Sequence, residues 1–219
     1  DLSDEDLIPV EDLVITLSHA EYVKCQPLGD YQAQRRGGRG RVAARTKEDD
    51  FIRSMFVANS HDTLLCFSNL GKVYWLKVYR LPQAGSQARG RPLVNLLPLD
   101  ENEKITAFLR QNGTAEENHF VVMATQKGTI KKTPASSFAR ARSTGLRAIQ
   151  LTDGDELVDV AITSGHAEIV LVSSAGKAIR FPESNVRDMG RVARGVRGIS
   201  LKSRQWVVSM MVIEEHDQD

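Results

Sequence analysis

Along much of this chain apolar and polar residues alternate in short runs, the period that places successive side chains on opposite faces of a strand. The runs come in pairs. Residues 13–17 and 21–24 flank Ser18-His19-Ala20, and 64–67 is followed by 71–77, 120–123 by 128–132, and 169–172 by 176–181. Gly71, Gly128 and Gly176 stand at the turns of the last three pairs, where a tight hairpin needs positive φ. Glu21 holds that place in the first pair, which predicts a different turn there. Two more runs precede each later hairpin: a short one opening on glycine (40–44, 90–94, 145–149, 195–199) and a longer one (51–57, 105–109, 157–162, 206–212). Four strands repeat about every fifty residues, in the range of propeller blades, and helical periodicity is almost lacking.

This pattern predicts an all-β, β-propeller-like ring of four-stranded blades, forming a single domain over 1–219. Its units are a half blade at 12–28, then 29–82, 83–138 and 139–190, and a partial unit at 191–219. The chain opens on the third and fourth strands of a unit and ends on the first and second of another. The N-terminal hairpin is therefore a candidate closing strand pair for residues 196–212, which would remove exposed sheet edges. Open arrays and β-sandwiches suit the same runs.

With 41% hydrophobic and 26% charged residues, the composition suits a soluble globular domain. No apolar run approaches a membrane span, the acidic start is unlike a signal peptide, and a start that lacks Met and opens mid-pattern predicts a fragment of something longer. Cys25 and Cys66 lie inside apolar runs, as buried free thiols of a reducing compartment would, with a single disulfide as the alternative. The net charge of +1 conceals segregation: residues 1–12 carry six acids and 214–219 four, neither with any base. Between them stand all 29 bases against 18 acids, an excess that points to a polyanionic partner.

The bases recur before each short run: Arg35, Arg36, Arg39, Arg41 and Arg45; Arg89 and Arg91; Arg140, Arg142 and Arg147; Arg191, Arg194 and Arg197. The fourth strands add Lys72, Lys77, Lys131, Lys132, Lys177 and Arg180. In a ring these clusters would lie along one rim. Arginines without a stacking platform or a recognition helix read phosphates and shape rather than bases, so the expected partner is duplex DNA of any sequence. The densest cluster is Gln34-Arg35-Arg36-Gly37-Gly38-Arg39-Gly40. Its glycines allow sharp turns and close approach, and its guanidinium groups can fork onto phosphate oxygens. A solvated Arg/Gly linker is the plainer reading of the same composition.

That ordered string resembles the signature box of the C-terminal domain of the DNA gyrase A subunit, with Arg39 where the family usually has lysine. The similarity extends to Leu17-Ser18-His19 with Tyr22-Val23-Lys24, to Asn95-Leu96-Leu97-Pro98-Leu99, to Asp153-Gly154-Asp155-Glu156-Leu157 and to Gly195-Val196-Arg197-Gly198-Ile199. The resemblance implies a β-pinwheel of six blades that wraps duplex DNA, with Gln34 to Gly40 as its gyrase box. It also implies that the remainder of gyrase A accompanies the domain, in a heterotetramer with gyrase B, and a cytoplasmic, nucleoid-associated setting. ATP and Mg2+ would be used elsewhere in that holoenzyme, with no cofactor in this domain. The matching domain of topoisomerase IV shares the blades but has a degraded box, and a protein-binding propeller scaffold is the rival of another class.

Catalysis finds little support. His19, His61, His119, His166 and His216 are scattered, with no metal-ligand spacing, so neither a catalytic nor a metal site is assigned. Asp153-Gly154-Asp155 lacks the rest of a Ca2+ loop and predicts a turn. The resemblance assigns DNA cleavage to a tyrosine outside this domain, so Tyr22, Tyr31, Tyr74 and Tyr79 receive no catalytic role.

Overall fold

The predicted runs are realised as fifteen strands, the central ones buried on both faces, beside one α-helix in the computed structural model, which describes residues 3–36, 50–111 and 118–215. In chain order these are β1 (Asp12–Ser18), β2 (Tyr22–Pro27), α1 (Leu28–Arg36), β3 (Ile52–Asn59), β4 (Thr63–Ser68), β5 (Lys72–Lys77), β6 (Arg91–Pro92) and β7 (Ile105–Arg110). There follow β8 (Phe120–Thr125), β9 (Thr129–Pro134), β10 (Leu146–Arg147), β11 (Leu157–Thr163), β12 (Glu168–Ser173), β13 (Ala178–Pro182), β14 (Val196–Arg197) and β15 (Val207–Ile213).

The chain divides into two compact units, Asp1–Thr63 with Leu76–Leu99, and Leu64–Trp75 with Asp100–Asp219. The first holds one antiparallel sheet, ordered β3-β1-β2-β6, whose inner face buries Leu13, Ile15, Leu17, Val23 and Cys25. The second holds three sheets: β10-β5-β4-β7, β11-β8-β9-β14 and β13-β12-β15. Its cores pack between sheets. Leu65, Phe67, Val121, Met123 and Phe138 share one cluster, with Phe67 and Phe138 edge-to-face at 5.6 Å, and Val122, Ile169, Leu171, Ile199 and Val207 share another. Both thiols are free and buried.

The predicted repeat is present, but its pieces combine differently. Each hairpin takes its long partner from the run that follows it, β1 with β3, β4 with β7, β8 with β11 and β12 with β15, rather than from the run before it. Its outer edge is closed by a two-residue strand from one repeat further on: β6 on β2, β10 on β5 and β14 on β9. The blade boundaries read from sequence therefore shift by half a unit. The N-terminal hairpin is the centre of the first sheet, paired with β3 and β6. Residues 196–197 pair instead with β9 and 207–213 with β12, so the expected clasp is replaced by these partners.

The four hairpin turns share one design, and the exception expected at Glu21 does not occur. Glu21 takes φ 67°, beside 79° at Gly71, 97° at Gly128 and 78° at Gly176. A hydroxyl at the end of the preceding strand caps every turn: Ser18 Oγ accepts from Tyr22 N (3.2 Å), Ser68 Oγ from Lys72 N (3.3 Å), Thr125 Oγ1 from Thr129 N (3.1 Å) and Ser173 Oγ from Lys177 N (3.2 Å). The cap, together with the Glu21–Arg53 ion pair at 2.7 Å, offsets the roughly 1–2 kcal/mol that a left-handed conformation costs a non-glycine residue.

Helix α1 is the second departure. Its residues are exposed or half-buried, so it carries no apolar stripe for periodicity to reveal. Good helix formers (Gln32, Ala33, Gln34, Arg35, Arg36) build its second half, with Asp30 in its first turn and Arg35 and Arg36 in its last, each at the end its charge favours.

Candidate nucleic-acid interface

The short edge strands are where the structure presents arginines, and glycine makes each one possible. Gly90, Gly145 and Gly195 have φ of 88°, 78° and 92°. A Cβ there would stand 2.1 Å from the Val23 carbonyl, 2.7 Å from the Tyr74 ring and 2.6 Å from the Ile130 carbonyl. The chain thus lies flat on the preceding hairpin only because no side chain intervenes. Buried Leu93, Ile149 and Ile199 anchor the far end, their amides donating to the carbonyls of the turn residues Glu21, Gly71 and Gly128. Between glycine and anchor, the pleat turns Arg147 and Arg197 outward at equivalent register, opposite Lys72 and Thr129. Arg91, also exposed, takes the position of Leu146 and Val196 rather than that of Arg147, so agreement among the repeats is not complete.

Among the described residues, the remaining predicted cations divide into exposed and engaged ones. Arg140, Arg142, Lys177 and Arg194 are exposed. Arg191 is half-buried and donates to the Arg147 carbonyl at 3.4 Å, and Arg180 is exposed but paired with Glu168 at 3.4 Å. Arg89 lies 4.0 Å above the Tyr22 ring and 3.4 Å from Asp50. Burial raises the Asp50 carboxyl, but donors from Ala20, Ser18, Arg89 and Phe51 outweigh that and hold it below its ordinary range. Gln34, Arg35 and Arg36 close helix α1 rather than open a glycine loop; Gln34 accepts from Gln26 at 3.1 Å, and Arg35 lies 5.9 Å from the Tyr31 ring. Gly37, Gly38, Arg39, Gly40, Arg41 and Arg45 lie outside the described residues.

Lys131 and Lys132 must be corrected. Both are buried and act as internal struts rather than rim cations. Lys131 Nζ donates to the carbonyls of Ala148 (2.7 Å) and Arg191 (2.5 Å), and burial with the nearby Arg191 charge lowers it to about 8. Lys132 Nζ lies 4.5 Å from the Phe120 ring centre and 3.5 Å from the Glu183 carboxylate. In sequence they read as two adjacent cations of a fourth strand, and the segments that cover them come only later in the chain. Lys127, passed over in sequence, lines a cleft of about 390 Å³ with Thr129, Thr152, Arg194 and Arg197, beside the Asp155 carboxylate. Its signal was its place just before the turn glycine. The Asp153–Asp155 stretch is the expected turn, Gly154 taking φ 75° and Asp155 N donating to the Thr152 carbonyl. Among the described residues no three His, Cys, Asp or Glu side chains gather into a metal cluster.

Repeated antiparallel sheets edged by short arginine-bearing strands define a β-propeller-like domain with cations held on its connecting segments. Comparison with known proteins supplies the family. The model for the DNA gyrase C-terminal domain, β-propeller, matches residues 12–59, 62–112, 119–164 and 167–214, and the chain belongs to that family. Each matched repeat runs from a hairpin through its following long strand, the same grouping that the sheets show. The DNA gyrase A protein of Klebsiella oxytoca is 57% identical over 97% of this chain and 24% of its own length; that of Haemophilus influenzae is 59% identical over 92% and 23%. The chain spans about a quarter of these curated relatives. Among solved structures, the C-terminal domain of DNA topoisomerase IV aligns with a TM-score of 0.77 at 31% identity, covering 95% of this chain and 63% of that one. The DNA gyrase A C-terminal domain aligns at 0.71 and 24% identity, covering 94% and 66%, a likeness of fold.

Proposed function

We propose that this chain is the DNA-binding and DNA-wrapping domain of a gyrase A protein. It performs no chemistry of its own and bends duplex DNA along its arginines, so that the ATP-dependent enzyme introduces negative supercoils. Its partners on this reading are duplex DNA, the remainder of gyrase A and gyrase B in a heterotetramer, in the cytoplasm at the nucleoid. ATP and Mg2+ act elsewhere in the assembly.

The observation that carries the reading is the repeated seating of a positive-φ glycine followed by an exposed arginine, at Gly145 to Arg147 and again at Gly195 to Arg197. Such groups neutralise phosphates without reading bases, and a series of them offsets the on the order of 1–6 kcal/mol needed to bend 20–30 base pairs. The likeness to the topoisomerase IV domain favours a second reading, selection of DNA substrates in that enzyme. Identities of 57% and 59% to gyrase A sequences support the first.

Salt titration of duplex binding tests the DNA reading, since log Kd should rise by about 0.9 per phosphate contact for each unit of log salt. Unrelated duplexes of equal length should compete within a few-fold. A flat titration, or strong preference for one sequence, overturns it. Restoring supercoiling to a gyrase whose own domain has been replaced by this one separates gyrase from topoisomerase IV.

A further inference from the structure

Lys24 on β2 and Lys131 on β9 occupy the same place in their repeats, three residues after the left-handed turn residues Glu21 and Gly128. Neither spends its ammonium group on a carboxylate in the bonds it makes. Lys24 Nζ donates to the carbonyls of Gly85 and Ala88, both at 2.9 Å, and Lys131 Nζ to those of Ala148 and Arg191. All four carbonyls belong to segments that carry arginines, leading to Arg89 and Arg91 in the first unit and bearing Arg147, Arg191 and Arg194 in the second. The main chain beside each lysine grips the same segment: Ala84 N donates to the Cys25 carbonyl, and Met189 N to that of Lys132. In the second sheet Tyr74 takes this place, and its ring packs on Gly145 below Arg147. In the fourth the residue is Ile179, and no short strand pairs with β13 among the described residues.

Desolvation lowers the pKa of both lysines, so each charge is kept where an apolar side chain of the same length would cost less. What the ammonium supplies is several donors reaching two carbonyls at once, which an apolar chain cannot do.

We propose that Lys24 and Lys131 are positioning residues for the DNA-binding arginines, clamping by their carbonyls the segments from which those arginines project. This rests on the DNA reading above. Ordering the segments beforehand removes an entropic cost that a loose arginine would meet at every phosphate.

The test uses the 219-residue chain carrying Lys24→Met, Lys24→Arg or Lys131→Met. Without DNA, amide hydrogen exchange at Ala84 and Ala88 should accelerate tenfold or more in Lys24→Met, and at Met189 and Ala193 in Lys131→Met. Lys24→Arg, which keeps several donors, should restore protection. With duplex DNA, each methionine variant should lower the salt slope by about 0.9 or more although both ammonium groups are spent on backbone carbonyls. Adding Lys131→Met to Arg147→Ala/Arg191→Ala/Arg194→Ala should change that slope no further. Wild-type exchange rates in a methionine variant overturn the clamp, and a wild-type slope in a folded variant overturns its role in binding. A flat titration by the wild-type chain sinks the DNA reading alone, since exchange still decides the clamp. Lys24 is half-exposed, so its variants carry the comparison if Lys131→Met does not fold.

Discussion

Strands β9 and β13 are the same strand of successive repeats, yet their cations meet opposite fates. Lys132 and Arg180 are equivalent by register, opposite Val122 and Val170. Lys132 is buried, against Phe120 and Glu183, whereas the Arg180 side chain is 54% exposed and held by Glu168, which stands where Phe120 does. What differs is the cover. β9 is flanked by β14 and touched by the chain at Asp188 and Met189, while β13 pairs with β12 alone among the described residues. Whether a strand cation is available to a ligand is thus decided by segments some sixty residues downstream, not by the strand's own pattern.

The largest effect should come from breaking the buried member. Glu183 accepts from Thr163 Oγ1, Gly165 N and Ala167 N as well as facing Lys132, and all would be left unsatisfied by Glu183→Ala. Urea denaturation should show a loss of about 3–5 kcal/mol, against no more than about 1 kcal/mol for Glu168→Ala at the open counterpart. Equal losses would erase the contrast.

Removing the cover comes next. Gly195→Val meets both positive φ and the Ile130 carbonyl, whereas Gly176→Val meets positive φ with nothing within 4 Å of its Cβ. Each backbone strain costs on the order of 1–3 kcal/mol, and only the first should also unseat β14. Gly195→Val should therefore lower the thermal midpoint further and open the amides of β9 to exchange.

A smaller effect distinguishes the two cations by function. Arg180→Met should lower the salt slope of duplex binding by up to about 0.9, and Lys132→Met should leave it unchanged in the folded protein.

The smallest effect is on pH. Lys131 titrates near 8 in the folded chain and near 10.5 when unfolded, so above pH 8 the unfolded chain holds a proton that the folded one lacks, and stability climbs. Burial raises Cys25 to about 11 and Cys66 also upward, from a usual 9, so their contribution is lost as pH rises beyond 9. The thermal midpoint should rise slightly from pH 8 to 9 and then flatten or fall, and Lys131→Met should reduce the rise, leaving only the part that the lowered Lys24 supplies.

These contrasts mark what was legible in the sequence. Strands, hairpin turns and the fifty-residue repeat could be read because alternation and turn chemistry are local. The pairing order could not, since residues 51–57 look equally suited to the hairpin before them and the one after. Arg140, Arg142, Arg147, Arg194 and Arg197 are exposed, because the segments that connect and edge the sheets stay near solvent. Burial of Lys131 and Lys132 was not legible, because it depends on contacts with Arg191 and Glu183, far along the chain.

The carried-forward edge strand also has a consequence in time. Val23 waits for Arg91, Val73 for Leu146 and Ile130 for Val196, each about seventy residues later. A ribosome adding roughly 5–20 residues per second leaves each of these three newly made hairpins with a bare edge for about 4–14 s. Nascent chains crowded on one message therefore share a brief interval in which one chain's hairpin can accept another chain's strand. A ribosomal pause between a hairpin and its distant edge strand would lengthen that interval, so codon choice there bears on the yield of correctly assembled domain.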